Sequence, residues 1–361
     1  MKTIIVKTEN KVYPIYLGKN FLSKIGGFCL KHRFGKKILI ITNPKPSRYY
    51  LSQVISSLKQ EDFRVFVRVL SAGEVYKNLA TVQSIYQNLI QHEFHRDDQI
   101  LALGGGVIGD LAGFAAATFL RGIRYVQIPT TLMGQVDSSI GGKTGVNLSS
   151  GKNLIGAYHH PEFVLSDTAT LKTLSKREIL NGMAEVVKYA IIWDKRFFAQ
   201  LKASFDAWIT GDLSQTERFV ERCIQIKATV VIADERESKL RSILNYGHTF
   251  GHAIESLGHY RGLTHGEAIA IGMQMAGKTA FLYGMFSRQE LELQNSLLRP
   301  LSPTSKPRLS GSILMAKMRL DKKVKADQIR LILPRRIGQV KVVAQCPLAL
   351  IEKGIETYQE N

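Results

Sequence analysis

The chain of 361 residues is 45% hydrophobic and 22% charged, a composition that excludes an intrinsically disordered protein. No apolar run approaches the ~20 residues of a membrane span, and no signal-peptide segment opens the sequence. Three widely spaced cysteines exclude a disulfide framework. We therefore expect a cytoplasmic protein with no membrane partner. The formal net charge of +19 admits two classes of partner, nucleic acids and anionic small molecules.

Short β-rich runs alternate with helical patterns through the first half of the chain. The runs predict strands at residues 4–6, 38–42, 64–70, 99–103, 125–128 and 163–166. Amphipathic patterns between them predict helices such as 50–61 and 79–93. This alternation indicates an α/β domain of the Rossmann-like type with a parallel sheet, which we assign to residues 1–175.

The predicted strand at 99–103 leads directly into a glycine-rich sequence, GGGVIGD. Gly104, Gly106 and Gly109 match G-x-G-x-x-G between a strand and a helix, where backbone N–H groups can approach a pyrophosphate. We therefore predict nucleotide binding here, against the alternative of a tight turn alone. No acidic residue follows about 20 positions later to hold a ribose, so we expect the ribose to be bound in another way.

A second glycine-rich segment presents Asp137, Lys143, Lys152 and Asn153. Its letters GKT suggest a P-loop, but that motif requires glycine where Asp137 stands, so we reject this interpretation. A merely solvated loop does not explain the apolar residues between the polar ones. The segment instead suits recognition of a phosphorylated, polyhydroxylated ligand.

After about residue 175 the pattern becomes helical. Helices are predicted at residues 176–192, 214–233, 245–257, 267–283 and 289–298. A break follows at 299–312, and an apolar run at 329–333 predicts a small strand pair. We therefore expect a mainly α-helical second domain over residues 176–361.

The predicted helix at 245–257 carries a polar stripe. Asn245, His248, His252 and Glu255 follow at steps of three, four and three, which places them on one helical face. The spacing H-x-x-x-H offers two ligands to a metal, although the glutamate of a zinc protease is missing. Two capped or solvent-facing histidines are the alternative.

Two histidines do not complete a metal site, so a third ligand must come from elsewhere in the chain. Candidates are Glu185, in a predicted helix with Lys188 on the same face, and His265, at the start of another helix. Spacing does not choose between this set and one that includes His252 or Glu255.

Taken in order, these segments closely resemble the 3-dehydroquinate synthase family of sugar-phosphate cyclases. The resemblance runs from about residue 43 to 338 and includes GGGVIGD, PTT, VDSSIGGKTGVN, GKN, GMAEVVK, NYGHTFGHAIE and HGEA. This set is far more specific than any one of its motifs. It implies NAD⁺ bound in the α/β domain and a divalent metal, Zn²⁺ or Co²⁺, at the domain boundary.

The resemblance also implies the residues that hold both cofactors. The metal ligands would be Glu185, His248 and His265, which leaves His252 for proton transfer. The NAD⁺ contacts would be Asn43, Glu74, Val75, Tyr76, Lys77, Gly105, Gly106, Val107, Ile108, Gly109, Asp110, Thr130, Thr131, Lys143, Lys152, Thr170, Leu171, Lys172, Thr173 and Asn181.

The implied enzyme is a carbon–oxygen lyase that converts 3-deoxy-D-arabino-heptulosonate 7-phosphate to 3-dehydroquinate and phosphate. The reaction would comprise transient NAD-dependent oxidation, phosphate elimination, re-reduction and aldol closure. The catalytic residues would be Asp137, Lys143, Glu237 and His252. The residues that contact this phosphorylated sugar-acid substrate would be Arg121, Asp137, Lys143, Asn153, Lys188, Lys227, Arg241, Asn245, His252 and one of Lys322 or Lys323. Arg121 would serve the neighbouring subunit of a homodimer.

The sequence departs from the family pattern in two places. Ala72 stands where aspartate is usual, and Lys239 stands where glycine is common. If the turn at Lys239 requires a positive φ, we expect its approach to Arg241 to shift.

Three other functions fit part of the sequence. A related cyclase whose substrate lacks a carboxylate would change Lys227, Arg241 and Asn245, all of which are present. A metal-dependent polyol-phosphate dehydrogenase would release NADH in proportion to turnover. Nucleic-acid binding rests on charge alone, because the basic residues are dispersed and no basic arm or RNA-binding motif accompanies them. We therefore expect no nucleic-acid partner.

Overall fold

The computed structural model describes residues 1–257, 262–303, 310–319 and 329–360. The chain forms two compact units. The first comprises Met1–Ser175 and Thr216–Glu235, and the second comprises Lys176–Gln215 and Arg236–Asn361. The segment Thr216–Glu235 thus groups with the first unit although it follows the boundary expected at residue 175. The domain limits 1–175 and 176–361 stay a prediction.

The first unit is built on a seven-stranded sheet. Its strands are β1 (Lys2–Lys7), β2 (Val12–Gly18), β3 (Lys37–Thr42), β4 (Arg64–Val69), β5 (Gln99–Gly104), β6 (Arg124–Pro129) and β9 (Val164–Asp167), in the order β1-β2-β9-β6-β5-β3-β4. The β1–β2 pair is antiparallel and the other neighbours are parallel. Strands β7 (Lys143–Leu148) and β8 (Gly151–Tyr158) form a separate hairpin. The predicted parallel α/β architecture is confirmed.

Helices surround the sheet and make up most of the second unit. They are α1 (Ile25–Lys31), α2 (Pro44–Pro46), α3 (Ser52–Gln60), α4 (Leu79–Gln91), α5 (Gly106–Thr118), α6 (Lys176–Trp193), α7 (Lys195–Ile209), α8 (Thr216–Ala233), α9 (His248–Leu257), α10 (His265–Leu282), α11 (Arg288–Leu298), α12 (Gly311–Arg319) and α13 (Leu348–Glu360). Within the residues that the structure describes, no helix is long and apolar enough to cross a bilayer.

The sheet is apolar on both faces, as parallel sheets covered by helices require. In β3, Ile38 and Ile40 belong to a core formed with α1 and α3, whereas Leu39 and Ile41 belong to a core formed with α4 and α5. Successive strand residues point to opposite faces, so the uninterrupted run KILIIT fills both layers. This layering fixes the strand ends that carry the candidate cofactor residues.

The second unit is organised around α10. This helix packs against α6, α9, α11 and α13, and most of its residues are buried. A helix surrounded in this way is expected to carry apolar residues around most of its circumference, as α10 does. The run at 329–333 belongs to a hairpin of β10 (Leu331–Arg336) and β11 (Gln339–Val343). The expectation of a mainly helical second half is confirmed.

The predicted start of the helix at 245–257 is wrong. The helix expected at 245–257 begins at His248, and Asn245 lies in the preceding 3-10 turn, Leu240–Asn245. Gly247 separates the two with a φ of +78°, a left-handed conformation that interrupts the helix. Asn245 therefore does not share the helical face of His248, His252 and Glu255.

Candidate active site

Most candidate NAD⁺ residues of the first unit gather at one edge of the sheet, whereas Lys143 and Lys152 lie on the hairpin β7–β8. Asn43 follows β3, residues 74–77 follow β4, Gly105–Asp110 follow β5, Thr130 and Thr131 follow β6, and Thr168–Thr173 follows β9. Parallel strands bring their carboxyl ends to the same edge, which is where open α/β sheets bind nucleotides. The topology therefore assembles residues that are up to 130 positions apart in sequence (173 − 43).

The glycine-rich turn has the predicted strand-to-helix geometry. Strand β5 ends at Gly104 and α5 begins at Gly106, while the N–H of Thr130 donates to the carbonyl of Gly104 over 2.9 Å. A Cβ on Gly106 would lie 2.9 Å from Oγ of Ser138, so the chain passes too close for a side chain. The first-turn N–H groups of α5 suit the binding of a phosphate group.

A polar network fixes the loop after β4. Lys77 is buried, forms an ion pair with Asp110 and donates to Oδ1 of Asn153 over 2.5 Å. Burial alone would lower the pKa of Lys77, but the carboxylates of Asp110 and Glu74 outweigh it and raise that pKa. Asn147 donates to Glu74 over 2.8 Å. The candidate residues Glu74, Lys77, Asp110 and Asn153 thus belong to one network.

The remaining candidate NAD⁺ residues differ in their surroundings. Oδ1 of Asn43 is buried and accepts no hydrogen bond from the described residues, which leaves it available to a ligand hydroxyl. Val75 and Tyr76 are exposed. Asn181 belongs to the second unit, where its Oδ1 accepts from the N–H of Gly266 over 2.6 Å.

Two candidate substrate residues meet in the first unit. Lys227, on α8, donates to Oδ1 and to the backbone carbonyl of Asp137, both over 2.7 Å. Lys227 is buried, and Asp137 lies in a wide turn at Gly134–Ser138. The ammonium therefore holds the carboxylate in one orientation. Lys143, at the start of β7, and Asn153, on β8, are exposed.

Arg121 lies in a strained turn. Leu120, Arg121 and Gly122 have φ values of +50°, +65° and +125° in succession. A non-glycine residue in this region costs on the order of 1–3 kcal/mol and persists where surrounding structure enforces it. Arg121 is exposed, so this turn presents its guanidinium at the surface of the first unit.

Three helices of the second unit bring together Glu185, His248 and His265. Oε1 of Glu185 lies 3.6 Å from Nε2 of His248 and 4.0 Å from Nε2 of His265. Glu185 is fully buried, and Oε1 accepts no hydrogen bond within the described ranges. Tetrahedral ligands about 2.1 Å from one zinc ion lie roughly 3.4 Å apart. A buried carboxylate oxygen at these distances from two imidazoles fits a shared divalent metal.

The chemistry of the three side chains also fits a metal. Nδ1 of His248 lies 3.1 Å from the carbonyl of Tyr246, an arrangement that places the proton on Nδ1 and directs Nε2 toward Glu185. Burial, with Lys188 and the two neighbouring histidines, holds the pKa of His248 well below its usual range. His248 therefore offers a neutral imidazole, the form that binds metals. Lys188 forms a buried ion pair with Glu185.

A second donor group shares one histidine with the first. His252, Glu255 and His265 also lie within metal-ligating reach of one another. The two nitrogens of His265 face different carboxylates, because Nδ1 lies 3.4 Å from Oε1 of Glu255 and Nε2 faces Glu185. One imidazole cannot direct both of its nitrogens at the same ion. For a single metal ion, the two groups are therefore alternative ligand sets.

The other candidate residues of the second unit lie just before α9. Asn245 donates to Glu237, and Arg241 is buried in the turn Leu240–Asn245. Lys239 has a φ of −143°, so the turn does not require glycine there and the expected shift does not arise. The positive φ of +61° falls on Glu237. Lys322 and Lys323 lie outside the described residues.

Sequence reasoning missed a buried pair in the first unit. His160 and Glu235 lie 75 positions apart, and Nε2 of His160 is 2.7 Å from Oε1 of Glu235. Neither residue stands in a motif with recognisable metal or catalytic spacing, so no local pattern announces the pair.

The sequence matches two family models. The model described as 3-dehydroquinate synthase N-terminal matches residues 67–181, and the model described as 3-dehydroquinate synthase C-terminal matches residues 182–324. The 3-dehydroquinate synthase of a Picosynechococcus species is 46% identical over 353 residues, which cover 97% of each chain. That of Desulforamulus reducens is 45% identical over 344 residues, covering 95% of this chain and 96% of the relative.

Solved structures with the same fold include two synthases with bound NAD⁺ and a divalent metal. A 2-epi-5-epi-valiolone synthase from Streptomyces hygroscopicus, with NAD⁺ and Zn²⁺ bound, is 28% identical with a TM-score of 0.89, covering 96% of this chain and 97% of the other. A 2-deoxy-scyllo-inosose synthase with carbaglucose-6-phosphate, NAD⁺ and Co²⁺ is 28% identical with a TM-score of 0.84, covering 99% and 100%. An iron-containing alcohol dehydrogenase from Thermotoga maritima, at 13% identity and a TM-score of 0.66 over 100% and 99% of the two chains, shares the fold alone.

Proposed function

The chain belongs to the 3-dehydroquinate synthase family, and from this premise we propose that it converts 3-deoxy-D-arabino-heptulosonate 7-phosphate to 3-dehydroquinate and phosphate. It is then a carbon–oxygen lyase. The observation that carries the proposal within the structure is the convergence of Glu185, His248 and His265 around a space that fits one divalent metal.

Glu185, His248 and His265 would hold a divalent metal, Zn²⁺ or Co²⁺. Bound there, it supplies a Lewis acid that polarises the hydroxyl and carbonyl oxygens of the substrate. Lys188 neutralises part of the charge of Glu185 and extends toward the same region. Of the two ligand sets, we prefer this one because His248 is neutral and its Nε2 faces the carboxylate.

NAD⁺ would bind at the carboxyl edge of the sheet, with its pyrophosphate at the start of α5 and with Asn43 and Glu74 as ribose partners. When bound, it supplies reversible hydride transfer and leaves the reaction in its original oxidation state. Gly105 and Gly106 allow the close backbone approach, and the Lys77–Asp110 pair fixes the adjacent loop. Thr130, Thr131 and the turn at Thr168–Thr173 close the same edge.

The other polar residues would bind the substrate and move its protons. Lys143, Asn153, Lys227 and Arg241 supply the cationic and amide groups that phosphate and carboxylate oxygens require. His252, one turn after His248 on α9, would transfer the proton at C6 of the substrate during phosphate elimination. Glu237, held by Asn245, would serve the later acid–base steps, and Asp137 is oriented by Lys227 for hydroxyl recognition.

The proposal is tested by one assay. The purified protein is incubated with the heptulosonate phosphate, NAD⁺ and Zn²⁺, and phosphate, dehydroquinate and NADH are measured. We expect equal amounts of phosphate and dehydroquinate with no accumulation of NADH. Phosphate without dehydroquinate contradicts the proposed cyclisation, and NADH in proportion to turnover identifies a dehydrogenase instead.

We further propose a cytoplasmic homodimer in which Arg121 serves the phosphate site of the neighbouring subunit. The strained, exposed turn at Arg121 supports this proposal. Arg121→Ala and His248→Ala should each be inactive alone. Their mixture, after subunit exchange, should regain on the order of a tenth of wild-type activity or more, because a mixed dimer has one complete site. If Arg121 acts within its own subunit, mixing restores nothing.

Glu255 is proposed to orient His265 through Nδ1, from which its Oε1 is 3.4 Å. Carboxylates that hold the second nitrogen of a ligating histidine typically contribute about 10–100-fold to metal affinity. Glu255→Gln should therefore weaken Zn²⁺ binding by about tenfold in competition with a chromophoric chelator. Glu267→Gln is the matched control, since Glu267 forms a capping box with Thr264 at the start of α10, the helix that begins at His265. Equal loss in both variants would indicate a helix-start effect only.

A further inference from the structure

A buried ionisable pair lies in the first unit, apart from every residue assigned a role above. The side chains of His160 and Glu235 are 4% and 6% exposed, and Nε2 of His160 lies 2.7 Å from Oε1 of Glu235. Asn10 donates to both carboxylate oxygens of Glu235 over 3.2 Å. Buried ion pairs seldom increase stability over apolar residues of similar volume, so this pair calls for another explanation.

The pair contacts the glycine-rich segment that carries two proposed catalytic residues. The ring of His160 stacks on Tyr13 with centroids 5.4 Å apart, and the hydroxyl of Tyr13 accepts from the N–H of Gly141 over 3.2 Å. Gly142 adopts a φ of +66°, and a Cβ there would lie 2.7 Å from Nδ1 of His160. The two glycines thus rest directly against Tyr13 and His160.

The orientation of the His160 ring is set by Glu235. Burial alone would raise the pKa of Glu235, but hydrogen bonds from His160 and Asn10 outweigh it and lower that pKa. An ionised carboxylate places the proton on Nε2 of His160. Nδ1, which faces Gly142, makes no hydrogen bond among the residues that the structure describes. Glu235 is therefore the partner that holds the ring in place.

Helix α8 and the turn that follows it hold this segment at two points. Lys227, on α8, binds Asp137, and Glu235, two residues beyond the end of α8, binds His160 beside Gly142. Lys143 follows Gly142 directly. The segment from Asp137 to Lys143 is thereby held near one end by Lys227 of α8 and near the other by His160, which is bound by Glu235 in the turn after α8.

We propose that His160 and Glu235 are positioning residues, which hold the segment 137–143 so that Asp137 and Lys143 meet the substrate in one geometry. This role rests on the proposed function for its effect on turnover. Displacements of about 1 Å in positioning residues can lower turnover on the order of a hundredfold, which sets the scale expected here. The contact of the pair with the segment is independent of that function.

The test compares His160→Ala, His160→Gln and Glu235→Gln by turnover and by hydrogen exchange. His160→Ala and Glu235→Gln should lower kcat on the order of 10–100-fold and speed amide exchange in peptides that cover 134–146 by at least about tenfold. Glu235→Gln removes the carboxylate that fixes the proton on Nε2 of His160, and its amide N–H either faces the Asn10 amide N–H or requires the other tautomer of His160. His160→Gln should restore both readouts to within about threefold of wild type, since its amide nitrogen can reach Glu235.

His159→Ala is the matched control, because His159 precedes His160 but stacks on Tyr125 and bonds the carbonyl of Ile123. It should leave kcat within about twofold of wild type. Faster exchange with unchanged kcat in His160→Ala overturns the proposal, as does unchanged exchange in the segment. If wild type makes no dehydroquinate, the proposed function fails, and the exchange data still decide whether the pair holds the segment.

Discussion

His248→Ala is expected to abolish stable metal binding and to lower turnover by at least about a thousandfold. Polarisation by the metal supplies several kcal/mol of transition-state stabilisation, and each 1.36 kcal/mol corresponds to a factor of ten in rate. The substitution removes a neutral imidazole whose Nε2 lies 3.6 Å from Oε1 of Glu185. Metal content after dialysis, Zn²⁺ affinity by chelator competition and kcat provide the measurements.

His252→Ala is the informative comparison, because His252 lies one turn after His248 on α9. If His252 transfers a proton and does not ligate the metal, the variant should keep Zn²⁺ affinity within about threefold while kcat falls on the order of 10²–10⁴-fold. The alternative ligand set of His252, Glu255 and His265 makes the opposite forecast. Loss of metal in His252→Ala with retention in His248→Ala would assign the ion to that set.

Gly272→Ala should damage the metal site without touching a ligand. A Cβ on Gly272 would lie 2.1 Å from the carbonyl oxygen of Gly247, so α9 and α10 cannot keep their separation. Overpacking of this kind destabilises by about 1–3 kcal/mol or more. Because α9 carries His248 and α10 carries His265, we also expect Zn²⁺ affinity to fall by at least about tenfold. Denaturant unfolding and chelator competition measure the two effects.

Gly27→Ala provides the control for the same chemical change. Gly27 is exposed in α1, and nothing lies within 4 Å of a Cβ built there. Alanine should stabilise that helix by about 0.5–1 kcal/mol and leave metal affinity unchanged. If Gly272→Ala changes neither the free energy of unfolding nor the Zn²⁺ affinity, α9 and α10 can move apart without cost. Their close approach would then not determine the geometry of the metal site.

Six of the seven strands of the sheet and most of the longer helices could be predicted from the sequence because their apolar periodicity is strong, whereas β2, α7 and α13 were not among the predicted elements. The run KILIIT in β3 and the heavily apolar α5 bury both faces, which leaves little ambiguity. The hairpin β7–β8 was missed, since its glycines and polar residues carry the signature of a turn. At Asn245, the left-handed Gly247 separates the residue from α9, so the helix begins three residues later than its spacing predicted.

The choice between ligand sets could not come from spacing. Glu185, His248 and His265 lie on three helices, and their convergence depends on glycine contacts such as that of Gly266, where a Cβ would lie 2.1 Å from the carbonyl of Asn181. The tautomer of His248 depends on the carbonyl of Tyr246, which no side-chain pattern encodes. Such features are properties of the packed second unit, and sequence motifs locate only the participants.

The membership of α8 in the first unit has a consequence for synthesis on the ribosome. Strands β1 and β2 pack against α8, and Lys2 binds Glu221 on that helix. The sheet of the first unit therefore stays partly uncovered after residue 175 has emerged, until residue 235 has also been made. At translation rates of about 5–20 residues per second, these 60 residues (235 − 175) represent a delay of roughly 3–12 s. During that interval the nascent chain exposes apolar sheet surface, so chaperone capture is expected to concentrate there.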